Sequence, residues 1–222
     1  MIEAVIFDMD GVLLDNEWIY KRILKRILKR YLITLSDDYF NSLTGLTLEN
    51  GGASKIIKTF DLKMGEQEFI NTVYNLYSEY EDKMETNPGV LETISQLKAN
   101  NIQIGLATST IRKKAEPRLK NLNLFPLLDV MVFGDEVPLS KPHPDIYIKC
   151  LERLKVPPER AVVFEDSLNG VKAAAEANIP FVFGVLHKHN NGESLLKSGA
   201  IKTGSPPAIF YEALNTVFSK KH

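Results

Sequence analysis

The sequence predicts a doubly wound α/β fold built on a parallel sheet, with a helical cap domain inserted after the first strand. Three observations carry that expectation. Five short apolar runs, Ala4–Phe7, Ile102–Ala107, Val130–Phe133, Ala161–Phe164 and Phe181–Val185, are continuous rather than alternating, the pattern of strands buried on both faces. Helical patterns at Val90–Lys98, Lys113–Leu122, Asp145–Leu154 and Gly170–Ala177 separate the later runs, as right-handed crossovers require. About 70 residues lie between Leu14 and Asn87, far more than one crossover helix uses.

That long interval reads as four helices, Glu17–Tyr31, Ser36–Leu43, Leu48–Phe60 and Gly65–Lys83. In the last, Phe69, Val73, Leu76 and Tyr80 recur at helical spacing. The cap is expected to span residues 15–86, leaving 1–14 and 87–222 as the core, with Asn87-Pro88-Gly89 marking the return. Asp15 is expected to cap the first cap helix. Linkers near Asp15 and Thr86–Asn87 would let the cap open and close over the core.

Composition narrows the function classes. The 222 residues carry 27 Lys+Arg and 28 Asp+Glu, a net charge of −1, which argues against a generic nucleic-acid binder. The single cysteine, Cys150, rules out an internal disulfide and reads as a small core residue. No secretory leader is expected from the acidic, short-run N-terminus, and no apolar run approaches the roughly 18 residues of a membrane span. A cytoplasmic monomer with no membrane or nucleic-acid partner is the expectation. The repeat KRILKRILKRY (Lys21–Tyr31) places six basic side chains opposite Ile23, Leu24, Ile27 and Leu28, and reads as an amphipathic helix with a solvated basic face. A surface that binds anionic membrane or nucleic acid is the remote alternative.

The chemistry-bearing residues cluster where the strands end. In an open parallel sheet, ligands bind beyond the carboxyl ends of the strands. The first strand runs into Asp8-Met9-Asp10-Gly11 and the second into Thr108-Ser109-Thr110. The third is followed, after a loop, by Lys141-Pro142-His143-Pro144-Asp145, and the fourth by Glu165-Asp166-Ser167. Asp8 and Asp10 repel one another unless a cation or proton intervenes, and Asp166 with Glu165 adds negative charge. A hard divalent cation fits, and Mg²⁺ fits best because it takes few carboxylates and keeps waters. Lys141, the Thr108 hydroxyl and the Ser109 N–H would face a tetrahedral anion, namely phosphate. A carboxylate can attack phosphorus and split the reaction into two steps, with a second acid protonating the leaving oxygen and then activating water. Asp8, at the strand end, suits the first role and Asp10, on the turn, the second.

These segments resemble the four motifs of the haloacid dehalogenase-like superfamily. FDMDGVLLD (Phe7–Asp15) is similar to motif I, ATST (Ala107–Thr110) to motif II, KPHPD (Lys141–Asp145) to motif III and FEDSLNGVKAA (Phe164–Ala174) to motif IV. The resemblance implies a Rossmann-like core with a small helical cap. It also implies Asp8 as nucleophile, Asp10 as acid/base, Lys141 and Thr108 on the phosphoryl group, and Mg²⁺ held by Asp8, the Asp10 carbonyl and Asp166, with Glu165 beside it. Members that cleave carbon–halogen or carbon–phosphorus bonds lack the second aspartate, so Asp10 favours phosphoryl transfer. Phosphatases and β-phosphoglucomutases remain. The mutases carry a histidine where Tyr20 stands and an arginine where Leu48 stands, so hydrolysis of a small phosphomonoester, a sugar phosphate or nucleotide-like compound, is the expectation. A sugar-phosphate mutase is the alternative.

Other residues have plainer expectations. Arg112 is a candidate distal substrate contact, and Thr44, Thr47, Glu49 and Asn50 are candidates for substrate choice, Thr47 foremost. Asp135 and Glu136 are candidate partners of Lys141. Asn169 and Gly170 are expected to form the turn into the next helix, His143 to lie in a loop, and His187, His189 and His222 to lie on the surface.

Overall fold

The computed structural model describes residues 1–43, 48–188 and 190–218. Contacts divide the chain into two compact units, one made of Met1–Asp15 and the chain from Glu85 onward, the other of Asn16–Met84.

The first unit is a six-stranded sheet. Its strands are β1 (Ala4–Phe7), β4 (Gln103–Ala107), β5 (Val130–Val132), β6 (Ala161–Glu165), β7 (Phe181–Val185) and β8 (Lys202–Gly204). The spatial order is β5-β4-β1-β6-β7-β8, and each neighbouring pair is parallel. β1 is therefore central, with β4 and β6 on either side, and the strand order reverses there. Every residue of β1 and β6 is buried, which is why their sequences carry no polar alternation. β8 was not apparent from the sequence because an edge strand reading Lys-Thr-Gly has no apolar run to mark it.

Two cores cover the two faces of this sheet. On one face Val5, Phe7, Leu106, Val162 and Phe164 pack with Val90, Ile94 and Leu97 of α5 (Val90–Ala99), with Ala115 and Leu119 of α6 (Arg112–Asn121), and with α10 (Ala208–Phe218). On the other, Ile6, Ala107 and Val163 pack with α7 (Asp145–Leu154) and α8 (Leu168–Glu176). Cys150 lies in this second core, as its sequence context suggests. A short α9 (Gly192–Lys197) precedes β8.

β2 (Leu14–Asp15) and β3 (Glu85–Thr86) form an antiparallel pair where the chain leaves and re-enters this unit. Asn87 seals the crossing: its side-chain amide donates to the carbonyls of Gly11 and Val12, each at 2.9 Å. Asp15 thus belongs to a strand rather than capping a helix, and Asn16 occupies the cap position of the helix that follows.

The second unit is helical. It comprises α1 (Glu17–Lys29), α2 (Asp37–Asn41), a π turn at Leu48–Gly52 that leads into α3 (Ala53–Phe60), and α4 (Glu66–Ser78). Apolar faces meet inside it, with Ile23, Ile27, Phe69, Val73 and Tyr77 buried. The basic side of α1 is partly ion-paired rather than simply solvated: Lys21 meets Asp37 at 3.0 Å, and Arg26 meets Glu79. Arg22 lies over the rings of Trp18 and Tyr80. No described helix is long and apolar enough to cross a membrane.

Candidate active site

Three adjacent strands deliver the site. Asp8 follows β1, Thr108 follows β4 and Asp166 follows β6, so their side chains share one rim because their strands are parallel and in register. The Asp8 amide donates to the Phe164 carbonyl at 3.0 Å, and the Thr108 amide donates to Val132 at 3.1 Å, extending the ladder to the rim itself. Asp8, Thr108, Lys141, Glu165 and Asp166 are all buried, a state charged side chains reach only when paired.

Lys141 supplies the pairing. It reaches in from the loop before α7, and its ammonium donates to Asp8 Oδ1 at 2.5 Å, to Glu165 Oε1 at 2.5 Å and to the Ala107 carbonyl at 2.9 Å. All three ammonium hydrogens are thereby used. The expected partners Asp135 and Glu136 lie elsewhere. Asp135 accepts from the Arg112 amide, and Glu136 pairs with the Arg112 and Arg153 guanidiniums. Arg112 is thus held by Glu136 and Glu116 and lies over the Phe133 ring.

Glu165 has both carboxylate oxygens engaged. Oε1 accepts from Lys141 and from the Tyr147 hydroxyl at 2.7 Å. Oε2 accepts from the Asp166 amide, the Ser167 amide and the Ser167 hydroxyl at 3.1–3.3 Å. This fully buried carboxylate therefore sits at the first turn of α8, where the helix dipole favours it. Gly170 is what makes room. It lies inside α8 rather than in a turn, and a Cβ there would stand 1.9 Å from the Glu165 carboxyl carbon. Asn169 is likewise within α8, and Ser167 is the capping residue, accepting from the Gly170 amide at 3.0 Å.

Asp10 sits on the turn after β1. Its Oδ2 accepts from the Thr110 hydroxyl at 2.7 Å, and its Oδ1 is 3.5 Å from Nη1 of the buried Arg118. Gly11 takes φ +79°, a left-handed conformation that suits glycine, and a Cβ there would lie 2.4 Å from Asp166 Oδ2. The backbone thus turns tightly against the Asp166 carboxylate.

His187 departs from the sequence expectation. It is not a surface bystander: its Nε2 lies 3.0 Å from Asp166 Oδ2, and its backbone amide donates to Asn190 Oδ1 at 2.9 Å. Asn190 in turn donates to the Asp166 and Val185 carbonyls. His187 follows β7 by two residues, so the rim rule that selected the other strand ends also reaches it. Arg118 carried a different signal, a charge on the buried stripe of α6 with Ala115 and Leu119. Thr44, Thr47, His189 and His222 lie outside the described residues, and Glu49 and Asn50 are described only in their backbone.

The electrostatics follow from this packing. Burial pushes the Asp8 carboxyl up to about 8; Lys141 pulls it back, while Glu165 and Asp10 push it further. Burial also opposes the Lys141 ammonium, but Asp8 and Glu165 hold it above the usual lysine range. Both directions mark a pocket short of positive charge, in which Lys141 stays ionised. Burial likewise pushes the Cys150 thiol up to about 12, so it is a packing residue and not a nucleophile.

Comparison with known proteins adds to this geometry. Residues 5–183 match the model of a family described as haloacid dehalogenase-like hydrolase. The chain is 40% identical over 209 residues to the phosphorylated carbohydrates phosphatase of Thermotoga maritima, covering 94% of this chain and 96% of that protein. It is similar, at 39% identity and a TM-score of 0.81, to a Thermotoga maritima structure named "putative beta-phosphoglucomutase", covering 98% of this chain and 100% of that one. It is also similar to CbbY of Rhodobacter sphaeroides in complex with phosphate, at 26% identity and a TM-score of 0.71, covering 92% and 94%.

Proposed function

The chain belongs to the haloacid dehalogenase-like hydrolase family, and on that premise we propose that it is a phosphatase hydrolysing small phosphomonoesters, phosphorylated carbohydrates foremost, by way of an aspartyl-phosphate. One observation supports the reading: Asp8 and Asp10, Lys141, and Asp166 come from three separate chain segments and lie together at the rim of the central strands.

The donor set fits Mg²⁺. Asp8, Glu165 and Asp166 offer carboxylate oxygens within 4.8 Å of one another, an all-oxygen set suited to a hard cation. Among the described residues, the carboxylates of Asp8, Asp10, Glu165 and Asp166 outnumber the lysine and arginine cations beside them, Lys141 and Arg118, an excess of acidic oxygen that suits a divalent ion. Asp8, Asp166 and the Asp10 carbonyl would hold the ion. Glu165, whose oxygens already accept five hydrogen bonds, is better suited to fixing Lys141 than to metal contact. A bound Mg²⁺ would neutralise charge on the phosphoryl oxygens.

The residues would then act in two steps. An Asp8 carboxylate oxygen attacks phosphorus, the bond from phosphorus to the ester oxygen breaks, and Asp10 gives that oxygen its proton. Asp10 next takes a proton from water, which attacks the aspartyl-phosphate and releases inorganic phosphate. Lys141 offsets the charge on Asp8, and the Thr108 hydroxyl with the Ser109 N–H is suited to the phosphoryl oxygens. His187 and Asn190 orient Asp166. The helical unit is proposed to act as the cap that selects substrate, with Thr47 among its contributors.

Phosphate release from glucose 6-phosphate, fructose 1-phosphate, glycerol 1-phosphate and nucleoside monophosphates tests the proposal. Turnover of at least one ester is expected, lost on chelation and restored by Mg²⁺. Asp8→Asn should lower it by more than about 10³-fold while leaving the fold intact. Retained turnover in that variant would remove Asp8 from its role. The name of the Thermotoga maritima structure favours a second reading, a sugar-phosphate mutase. Tyr20, packed on Tyr77 at 5.0 Å between ring centroids, argues against it, since a tyrosine stands where the mutases carry a histidine. Efficient conversion of β-glucose 1-phosphate to glucose 6-phosphate, with a bisphosphate primer, would establish the mutase instead.

A further inference from the structure

We infer that Gly134 and Asp135, on the turn after β5, are positioning residues for the Thr108 hydroxyl, holding it as a hydrogen-bond donor to a phosphoryl oxygen. The inference deepens the proposed phosphatase reading and rests on it. The turn, Gly134–Glu136, packs against the loop that leads from β4 into α6. The Gly134 amide donates to the Thr110 carbonyl at 3.2 Å. Its Cα lies against the Ser109 carbonyl, since a Cβ there would stand 2.0 Å from that oxygen. One residue on, Asp135 Oδ1 accepts from the Arg112 amide at 2.9 Å. That bond docks the turn on the start of α6, whose cap position holds Ile111, a side chain with no oxygen to offer.

A trans peptide is planar, and its C=O and N–H point in opposite directions. With the Ser109 carbonyl turned toward Gly134, the Thr110 N–H of the same peptide points away from the turn. It donates to Thr108 Oγ1 at 3.1 Å. A hydroxyl oxygen that accepts from an amide still has its own hydrogen to donate. Thr108 is buried directly after β4, the neighbour of the strand that ends in Asp8, so a phosphoryl oxygen at Asp8 is the acceptor this hydrogen suits. Gly134 is not in the left-handed region; what calls for glycine is the close approach of two backbones. A side chain there would push the Ser109–Thr110 peptide out of its plane, break the amide contact and let the Thr108 hydroxyl rotate.

Coupling to Thr108 separates this role from a structural one. Inorganic phosphate is titrated calorimetrically, in Mg²⁺ buffer, into the wild type, Gly134→Ala, Thr108→Val, the double variant, Asp135→Ala and Asp135→Asn. Thermal unfolding and phosphate release from the ester panel above are measured alongside. Thr108→Val is expected to weaken phosphate binding by roughly 10-fold, the loss of one hydrogen bond to a charged group, and Gly134→Ala by a similar factor. The double variant should stay within about threefold of Thr108→Val, because both changes remove the same donor. Losses that multiply to about 100-fold would overturn the inference and leave Gly134 a packing residue, as would an unchanged affinity in Gly134→Ala. Asp135→Ala should weaken binding by about threefold, and Asp135→Asn, whose amide oxygen still accepts from Arg112, should restore it. Equal affinities in these two would overturn the inference, and the pair stands even where Gly134→Ala fails to fold. A wild type that neither binds phosphate nor releases it from any ester sinks the phosphatase reading itself. A wild type that does both, with Thr108→Val equal to it, leaves that reading standing and removes this inference.

Discussion

Asp8 is placed so that its charge state depends on what else enters the site. Its carboxyl is buried, and burial moves it up to about 8 from an ordinary value of 3.8, despite Lys141. In metal-free protein the folded state therefore keeps a proton that the unfolded chain releases. A folded pKa above the unfolded one contributes stability fully present below the unfolded value, and that contribution is lost as pH rises through the folded one. Urea unfolding in EDTA should show the wild type losing stability relative to Asp8→Asn between about pH 5 and about pH 8, by at most about 1.4 kcal/mol per pH unit. A difference that stays flat or grows with pH would contradict the charge assignment. At this scale, Asp8, Asp10, Lys141 and Asp166 were legible because each sits in a short polar run directly after an apolar strand or loop signal. Arg118 was not, because a charge on a helix is ordinarily read as solvated, and only the packing of α6 reveals that it faces inward. His187 gives no such signal, because a lone histidine in a polar stretch reads as a surface residue, whereas its partner is a carboxylate on a neighbouring strand end.

At the scale of elements, the strands and crossover helices of the sheet follow from apolar continuity and helical period. α7 was expected at Asp145–Leu154 and is found there. The elements that escaped are those whose formation depends on neighbours: β2 and β3, two residues each, exist by pairing with one another, and β8 by adding to β7. The start of α8 shows how an element shapes a site. Its third residue is glycine because the Glu165 carboxylate occupies the space a side chain would fill. Gly170→Ala brings two opposing effects. Alanine favours the helix by about 1 kcal/mol, whereas overlap with a fully buried carboxylate costs about 1–3 kcal/mol and displaces the group that holds Lys141. The overlap should win, because an intended separation of 1.9 Å is far below contact distance. Net destabilisation in chemical unfolding, together with loss of phosphatase activity, is the expected outcome. A stabilised, fully active Gly170→Ala would show that Glu165 is not needed where it lies.

Considered whole, the molecule places its chemistry at the reversal point of a parallel sheet. The central strand ends in Asp8, and a strand on each side ends in a phosphate-suited hydroxyl or a second carboxylate. The sequence pattern was sufficient for that arrangement, since burial on both faces, crossover order and polar strand ends are all local signals. The length between Leu14 and Asn87 points to a helical insertion, and the chain divides into a second compact unit at Asn16–Met84, but the contribution of its residues to substrate choice is not legible, because nothing local in a helix names its ligand. The central claim is that this rim makes Asp8 the acceptor of a phosphoryl group. Acid quenching during turnover of the best ester, followed by peptide mass spectrometry, tests it most directly. A phosphoryl adduct on the peptide carrying Asp8, absent from Asp8→Asn, is the predicted result. Active turnover with no adduct, or with the adduct on another residue, would contradict the account.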